Sequence, residues 1–253
     1  MADKLDEAFA TTTHLLFGKA LSPMEKYGNW LGSRVPGGKR VKSCFGKGEA
    51  YLPDYGYFRK IPQNRVASYE DIAEASQPLI KSADGLTLPS IRKAVAAGAR
   101  FVPTYAEGNS MGVEDSFGYI SCLNVRHCFD PFTSKNCAYA LSIMDAEGSF
   151  GLHRAGIPVK FSIHCYNSYN IQRCFEMDSA IGCSDSMFCH NVESLQSCLF
   201  CFNAKGKRYA IGNLEVGKEK YDAFKKKLLA RILSELEASG SLSFDIYSVL
   251  GKG

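Results

Sequence analysis

The chain has 253 residues, of which 45% are hydrophobic and 22% charged, and its formal net charge is +4. That composition excludes disordered and fibrous classes, leaves length for one large domain or two modest ones, and gives too little charge to imply nucleic acid by itself. No apolar run reaches the ~18 residues of a membrane span, and the N-terminus MADKLDEAFATTTHLLFGKA lacks a secretory signal's basic start and apolar core. A soluble protein made in the cytoplasm, with no membrane partner, is expected. Its ten cysteines are then expected to stay mostly reduced, because a chain of this size needs no disulfide staples.

In chain order, residues 1–118 form the first region. It carries one cysteine, Cys44, and most of the prolines. A short helix is expected from Asp3 to Ala10. A second starts at Pro23 under a Ser22 cap, with Tyr27, Trp30 and Leu31 on one side. Pro36, Gly37 and Gly38 break the chain, and the aromatic, proline-rich stretch YLPDYGYFRKIPQNRV reads as extended or looped. Ser68 starts a helix in SYEDIAEA, and LPSIRKAVAAGA is another, with Gly98 as its stop. Small helices and loops, without one dominant period, make an irregular α-containing region or an arm.

Residues 119–213 hold the other nine cysteines. NVRHCFDPFTSKNC (124–137) aligns with NIQRCFEMDSAIGC (170–183) at an offset of 46, ISCLN (120–124) resembles IHCYN (163–167) at 43, and a weaker copy starts at Asn191. Cys122 and Cys137, Cys174 and Cys189, and Cys183 and Cys198 are each 15 apart. Short aromatic segments separated by Ser, Asn, Asp and Gly read as short strands and tight turns. Together these features predict a small β-solenoid-like domain with a 15-residue rung and a ladder of inward cysteines packing as small hydrophobes. An antiparallel sheet or sandwich is the other possibility. In residues 214–253, Tyr221, Phe224, Leu228, Ile232 and Leu236 fall at steps of 3, 4, 4 and 4. That is one face of an amphipathic helix, packed on its own domain or on another subunit. The fold class is therefore mainly β with flanking helices.

Each candidate chemistry has a plainer competitor. Cys198 and Cys201 form a C-x2-C with Cys189 and His190 upstream, a conceivable zinc set, although a second C-x2-C is missing and alternating strands would point Cys189 and His190 apart. Core packing is the competing role, with no cofactor. Thiol catalysis lacks a singled-out cysteine. Asp130, Glu176, Asp178 and Asp185 are the carboxylates a β-helix carbohydrate-active enzyme would use, yet Asp130 and Glu176 share one repeat position, which favours a structural role. Arg34, Lys39, Arg40, Lys42 and Lys47, in a glycine-rich loop, could contact nucleic acid or a partner, with Tyr51, Tyr55, Tyr57 and Phe58 near enough in sequence to stack on bases.

The stretch DSAIGCSDSMFCHNVESLQSCLFCFNAKGKRYAIGNLEVGKEKYDAFKKKLL resembles a loosely defined set of cysteine-rich repeat proteins from archaeal, candidate-phylum and viral or proviral sequences. That set runs from CxxC-like strand repeats through an F-N-x-K-x-K-R-Y-x-I-x-N segment into a lysine-rich helix. The resemblance covers roughly residues 170–235 and implies a viral or mobile-element structural component, with no activity attached. The sequence thus favours a non-enzymatic structural subunit that assembles with itself, a virion or virus-like particle being the most specific version. A nucleic-acid-binding module with zinc, and a β-helix enzyme, are the alternatives.

Overall fold

The structure is a computed structural model that describes residues 3–153, 162–164, 175–177 and 183–250. Its body is a β-solenoid. The chain order is α1 (Lys4–Phe17), α2 (Gly28–Leu31), the β1 (Gly38–Lys42) and β2 (Glu49–Pro53) hairpin, α3 (Ile72–Ala75) and α4 (Leu88–Gly98). The solenoid strands follow: β3 (Ala106–Glu107), β4 (Met111–Glu114), β5 (Tyr119–Ile120), β6 (Leu123–Phe129), β7 (Lys135–Leu141), β8 (Gln196–Leu199), β9 (Arg208–Ile211) and β10 (Leu214–Glu215). Helix α5 (Lys218–Ser239) comes last.

The solenoid is written in triplets. From Asp115 to Gly151, and again from Asp185 to Tyr209, every third residue has φ between 42° and 68°. Those left-handed residues are mostly Asn, Asp, Ser and Gly; Gly, Asn and Asp tolerate the conformation at least cost, and the β-branched Thr133 is an exception among them. Parallel pairing joins residues 12 apart: Val125 to Cys137, Phe132 to Met144, Cys198 to Ala210, Glu193 to Lys205. A turn is therefore four kinks and four sides of three residues. The residue after each kink points inward, giving Cys122, Val125, Cys128, Cys137, Ala140, Ile143, Ala146 and Leu152, then Cys183, Cys189, Val192, Leu195, Cys198, Cys201, Ala204 and Ala210, in one buried core.

This corrects the 15-residue rung. Within Cys122–Cys137 and within Cys183–Cys201 every cysteine gap is a multiple of three because the inward position recurs every three residues, whereas the 46 residues from Cys137 to Cys183 are not; 15 is one turn plus one side. Cys183 and Cys198 therefore lie on different sides, whereas Cys189 and Cys201, 12 apart, share one. The 46-residue offset is not a multiple of three either. The inward phase shifts by one residue between Leu152 and Met177, where Gly151 stacks on His164 at a spacing of 13.

The narrow interior explains why cysteine is used. Inward residues present backbone N–H groups to the lumen, and a buried N–H needs an acceptor. Ser116 Oγ accepts from Cys128 N–H at 3.0 Å, Ser186 Oγ from Cys198 N–H at 3.1 Å, and Cys189 Sγ from Cys201 N–H at 3.4 Å. The thiols donate in turn to carbonyls two residues back and nine residues on: Cys137 to Lys135 O and Ala146 O, Cys189 to Met187 O and Cys198 O. Cysteine is small, apolar and able to donate and accept weakly, so it both fills the interior beside larger inward residues such as Leu152 and Leu195 and serves its backbone groups. Among the described residues no cysteine is in a disulfide, and seven are buried.

One outer side of the solenoid is apolar and is covered by helices. Ala138, Phe150, Ile163, Phe175, Met187 and Leu199 recur along it, and Leu5, Phe9, Leu16 and Phe17 of α1 pack there with Tyr221, Ile232 and Leu236 of α5. Phe9 meets Phe150 edge-on at 5.2 Å and Phe17 meets Phe175 at 4.9 Å. Thr12 Oγ1 donates to Gly148 O at 2.7 Å, and Tyr221 Oη to Asp185 O at 3.1 Å. Arg126 fastens the start of α1 through Asp3 (2.9 Å) and the following helical turn at 24–27 through Glu25, and also holds Glu114 at 2.9 Å. The first helix is longer than expected, since Asp3 caps it and the TTT run does not end it: Thr12 and Thr13 are buried on its packed face. Within α5 the expected stripe is only partly covered. Tyr221, Ile232 and Leu236 are buried, Leu228 is half-buried and Phe224 is exposed.

Candidate interaction surface

The four zinc candidates do not share one face, although the Cys189, Cys198 and Cys201 thiols lie next to one another. Cys189, Cys198 and Cys201 lie inside the solenoid, whereas His190 is two residues past the kink at Phe188, points outward and sits beside Phe202 at 6.1 Å. No group of three metal-ligating side chains occurs among the described residues. Burial pushes the Cys128 and Cys137 thiols up, Cys137 to about 12, so they are poor thiolates. The carboxylates are dispersed as well. Asp130 carries a raised pKa from burial and is hydrogen-bonded by Tyr55, Glu176 accepts the Ile246 N–H at 3.0 Å, and Asp178 lies outside the described residues, as do Cys165 and Cys174. Asp185 supplies its carbonyl to Tyr221.

Much of the basic loop is engaged by the chain itself. Arg34 pairs with Asp245, Arg40 with Asp115 at 2.6 Å and Lys47 with Glu74 at 2.8 Å; Lys39 and Lys42 remain exposed on β1. The aromatics proposed for stacking are packed together instead. Tyr55 meets Phe117 and Phe129, Phe58 meets Phe117, and Tyr51 meets Phe129, joining the hairpin to the solenoid. Only Tyr57 of that set is largely exposed.

Two concave sites lie at the junctions. One, of about 480 Å³, is bounded by Arg40, Glu49, Tyr51, Tyr69, Asp115 and Tyr119. The other, of about 230 Å³, lies between Trp30, Ser33, His164, Glu176 and the Ser241–Asp245 stretch. His164 is buried, with Trp30 edge-on at 5.3 Å and no partner for Nδ1 among the described residues. Burial, helped by Arg34, holds its pKa down to about 3, so the imidazole is neutral.

The largest unexplained feature is the excursion from 72 to 101. Its root is fixed: Ala67 N–H donates to Phe101 O and Phe101 N–H to Arg65 O, both at 2.9 Å. Arg65 also reaches the C-terminal carbonyls of α4, Ala96 at 2.6 Å and Ala97 at 2.7 Å. Helix α4 starts with a reciprocal Thr87–Ser90 capping box and ends at Gly98, as the sequence predicts. Yet none of these 30 residues is buried. Ile72, Leu79, Ile80, Leu86, Leu88, Val95 and Phe101 are all exposed, Leu88 to 72%. A second apolar set is exposed on the solenoid, where Phe132 (40%) and Met144 (46%) continue a column begun by half-buried Ile120.

Sequence reasoning found α4 and its boundaries but not this exposure. An amphipathic stripe reports a face that wants cover without telling whether its own chain supplies it. Phe132 and Met144 were missed because a 15-residue period does not align them; the 12-residue period does. No known protein family, curated protein or solved structure matches the chain, so the reading of its surfaces rests on the geometry above.

Proposed function

We propose that the chain is a non-enzymatic assembly subunit: the solenoid is a rigid body, and the 72–101 excursion is the arm through which it binds another protein subunit. The observation that carries this reading is a capped, well-formed helix whose segment buries nothing while exposing seven large apolar side chains. Isolated helices of this length are marginal in water, and apolar surface gathered in one place marks a binding site more than scattered exposure does. A shell or particle of repeated copies is the most specific form of such an assembly. Self-pairing of Arg34, Arg40 and Lys47 weighs against the nucleic-acid alternative, since phosphate binding would have to displace those carboxylates.

Sedimentation velocity in reducing buffer, from about 1 to about 100 μM, tests the reading. A mass above the monomer that rises with concentration is expected. A monomer throughout, with no partner subunit captured by the arm, overturns it.

A further inference from the structure

We infer that the partner of the arm is a second copy of this chain, and that α4 seats on the Ile120–Phe132–Met144 column of that copy's solenoid, where Phe132 and Met144 are exposed and Ile120 is half-buried. This deepens the assembly reading and rests on it.

Both halves of the contact are present, and uncovered, in every copy. On α4, Leu88, Ile91 and Val95 are spaced i, i+3, i+7 and form one stripe. At 1.5 Å per residue they span about 10.5 Å. On the solenoid, Ile120, Phe132 and Met144 are bridged to one another at consecutive turns. Strand spacing of about 4.8 Å puts their ends about 9.6 Å apart. Three apolar knobs therefore face three apolar steps with nearly equal pitch.

Charge points the same way. The arm from Leu79 to Arg100 carries Lys81, Arg92, Lys93 and Arg100 against one acid, Asp84. Arg92 borders the apolar stripe on the helix, one step round from Leu88. The column is bordered by Asp145, which accepts from Thr133 Oγ1, and by Glu147, which pairs with Lys135 at 3.2 Å; both acids are exposed. Arg92 of one copy can therefore meet the acidic border of the other as the stripes close. Covering these side chains also removes the reason the arm lacks a core. Because arm and column are different patches, the contact closes as a dimer if reciprocal and extends as a chain of copies if not.

Complementation of two surface variants tests the contact. Val95→Glu spoils the arm and spares the column; Phe132→Glu does the reverse. Both sites are exposed, so both variants are expected to keep the wild-type circular dichroism spectrum. Each alone is expected to weaken self-association at least about tenfold, and an equimolar mixture is expected to regain a pair, because one intact arm and one intact column remain. Arg92→Glu is likewise expected to weaken association, and Glu147→Lys to restore part of it. If Val95→Glu abolishes association while Phe132→Glu leaves it unchanged, the column assignment is wrong and the assembly reading survives. If the wild-type chain is monomeric at every concentration, the pairing with a second copy falls, and the assembly reading falls with it when the arm also captures no other protein subunit.

Discussion

Ser142 offers a direct test of the triplet backbone. It is exposed, has φ of 52°, and donates its N–H to Phe129 O at 2.7 Å, so substitutions there act on the kink rather than on packing. In an ordinary strand, valine is favoured over glycine by roughly 1 kcal/mol. At a left-handed kink the order reverses. An L-residue pays about 1–2 kcal/mol for that conformation, and a β-branched one pays most. Glycine removes the strain but loses about 0.5–1 kcal/mol to the greater freedom of its unfolded chain. Ser142→Gly is therefore expected within about 0.5 kcal/mol of wild type, and Ser142→Val about 1–2 kcal/mol less stable. Urea unfolding followed by circular dichroism, with matched slopes, reads the difference. A Ser142→Val variant as stable as Ser142→Gly, or more so, would refute the triplet architecture.

Further consequences are as specific. Deleting residues 132–143 removes one full turn and is expected to leave a cooperative fold, whereas deleting 132–146 removes a turn plus a side and is expected to break the stacking; thermal melts separate the two. The native protein should react with a thiol reagent rapidly at Cys44, which is partly exposed, and slowly at the seven buried cysteines until urea opens the solenoid. His164 has a native pKa near 3 against an ordinary 6.5. Below pH 6.5 the unfolded chain therefore binds a proton that the native state refuses, and stability falls as pH falls toward 3. By pH 5 the loss is about 2 kcal/mol, and His164→Gln should abolish that part of the slope in urea midpoints compared at pH 7 and 5. Phe150→Ala, at the T-shaped contact with Phe9, should cost about 3–5 kcal/mol; a loss below 1 would mean that α1 is not docked.

The repetitive β body and its flanking helices are legible in the sequence because both rest on periodicity. Cysteine spacing announced repetition, and the i, i+3, i+4 stripe announced α5. The turn length was misread because cysteine pairs 15 apart, such as Cys122 and Cys137 or Cys183 and Cys198, were taken as one rung although 15 is one turn plus one side; the match of 124–137 with 170–183 misled separately, because it runs across the one-residue shift between Leu152 and Met177. Sequence similarity followed the residue types, while the backbone counted in threes. Cys189 and His190, by contrast, face opposite sides of one wall, the arrangement that alternation along a strand leads one to expect. The arm was read as a short helix without its consequence, because only three dimensions reveal that Leu88 and Val95 have nothing above them. The basic loop was legible as charge but not as pairing, since Asp115 and Asp245 lie 75 and 211 residues from their arginines.

Hydrogen exchange at the amides of α4 tests the assembly account most directly. With dilution from about 100 to about 1 μM, protection of Leu88–Gly98 should fall with the associated fraction while β6 and β7 stay protected, because contact with another copy is what covers that helix. Exchange in α4 that is independent of concentration, in a chain that stays monomeric, would contradict it.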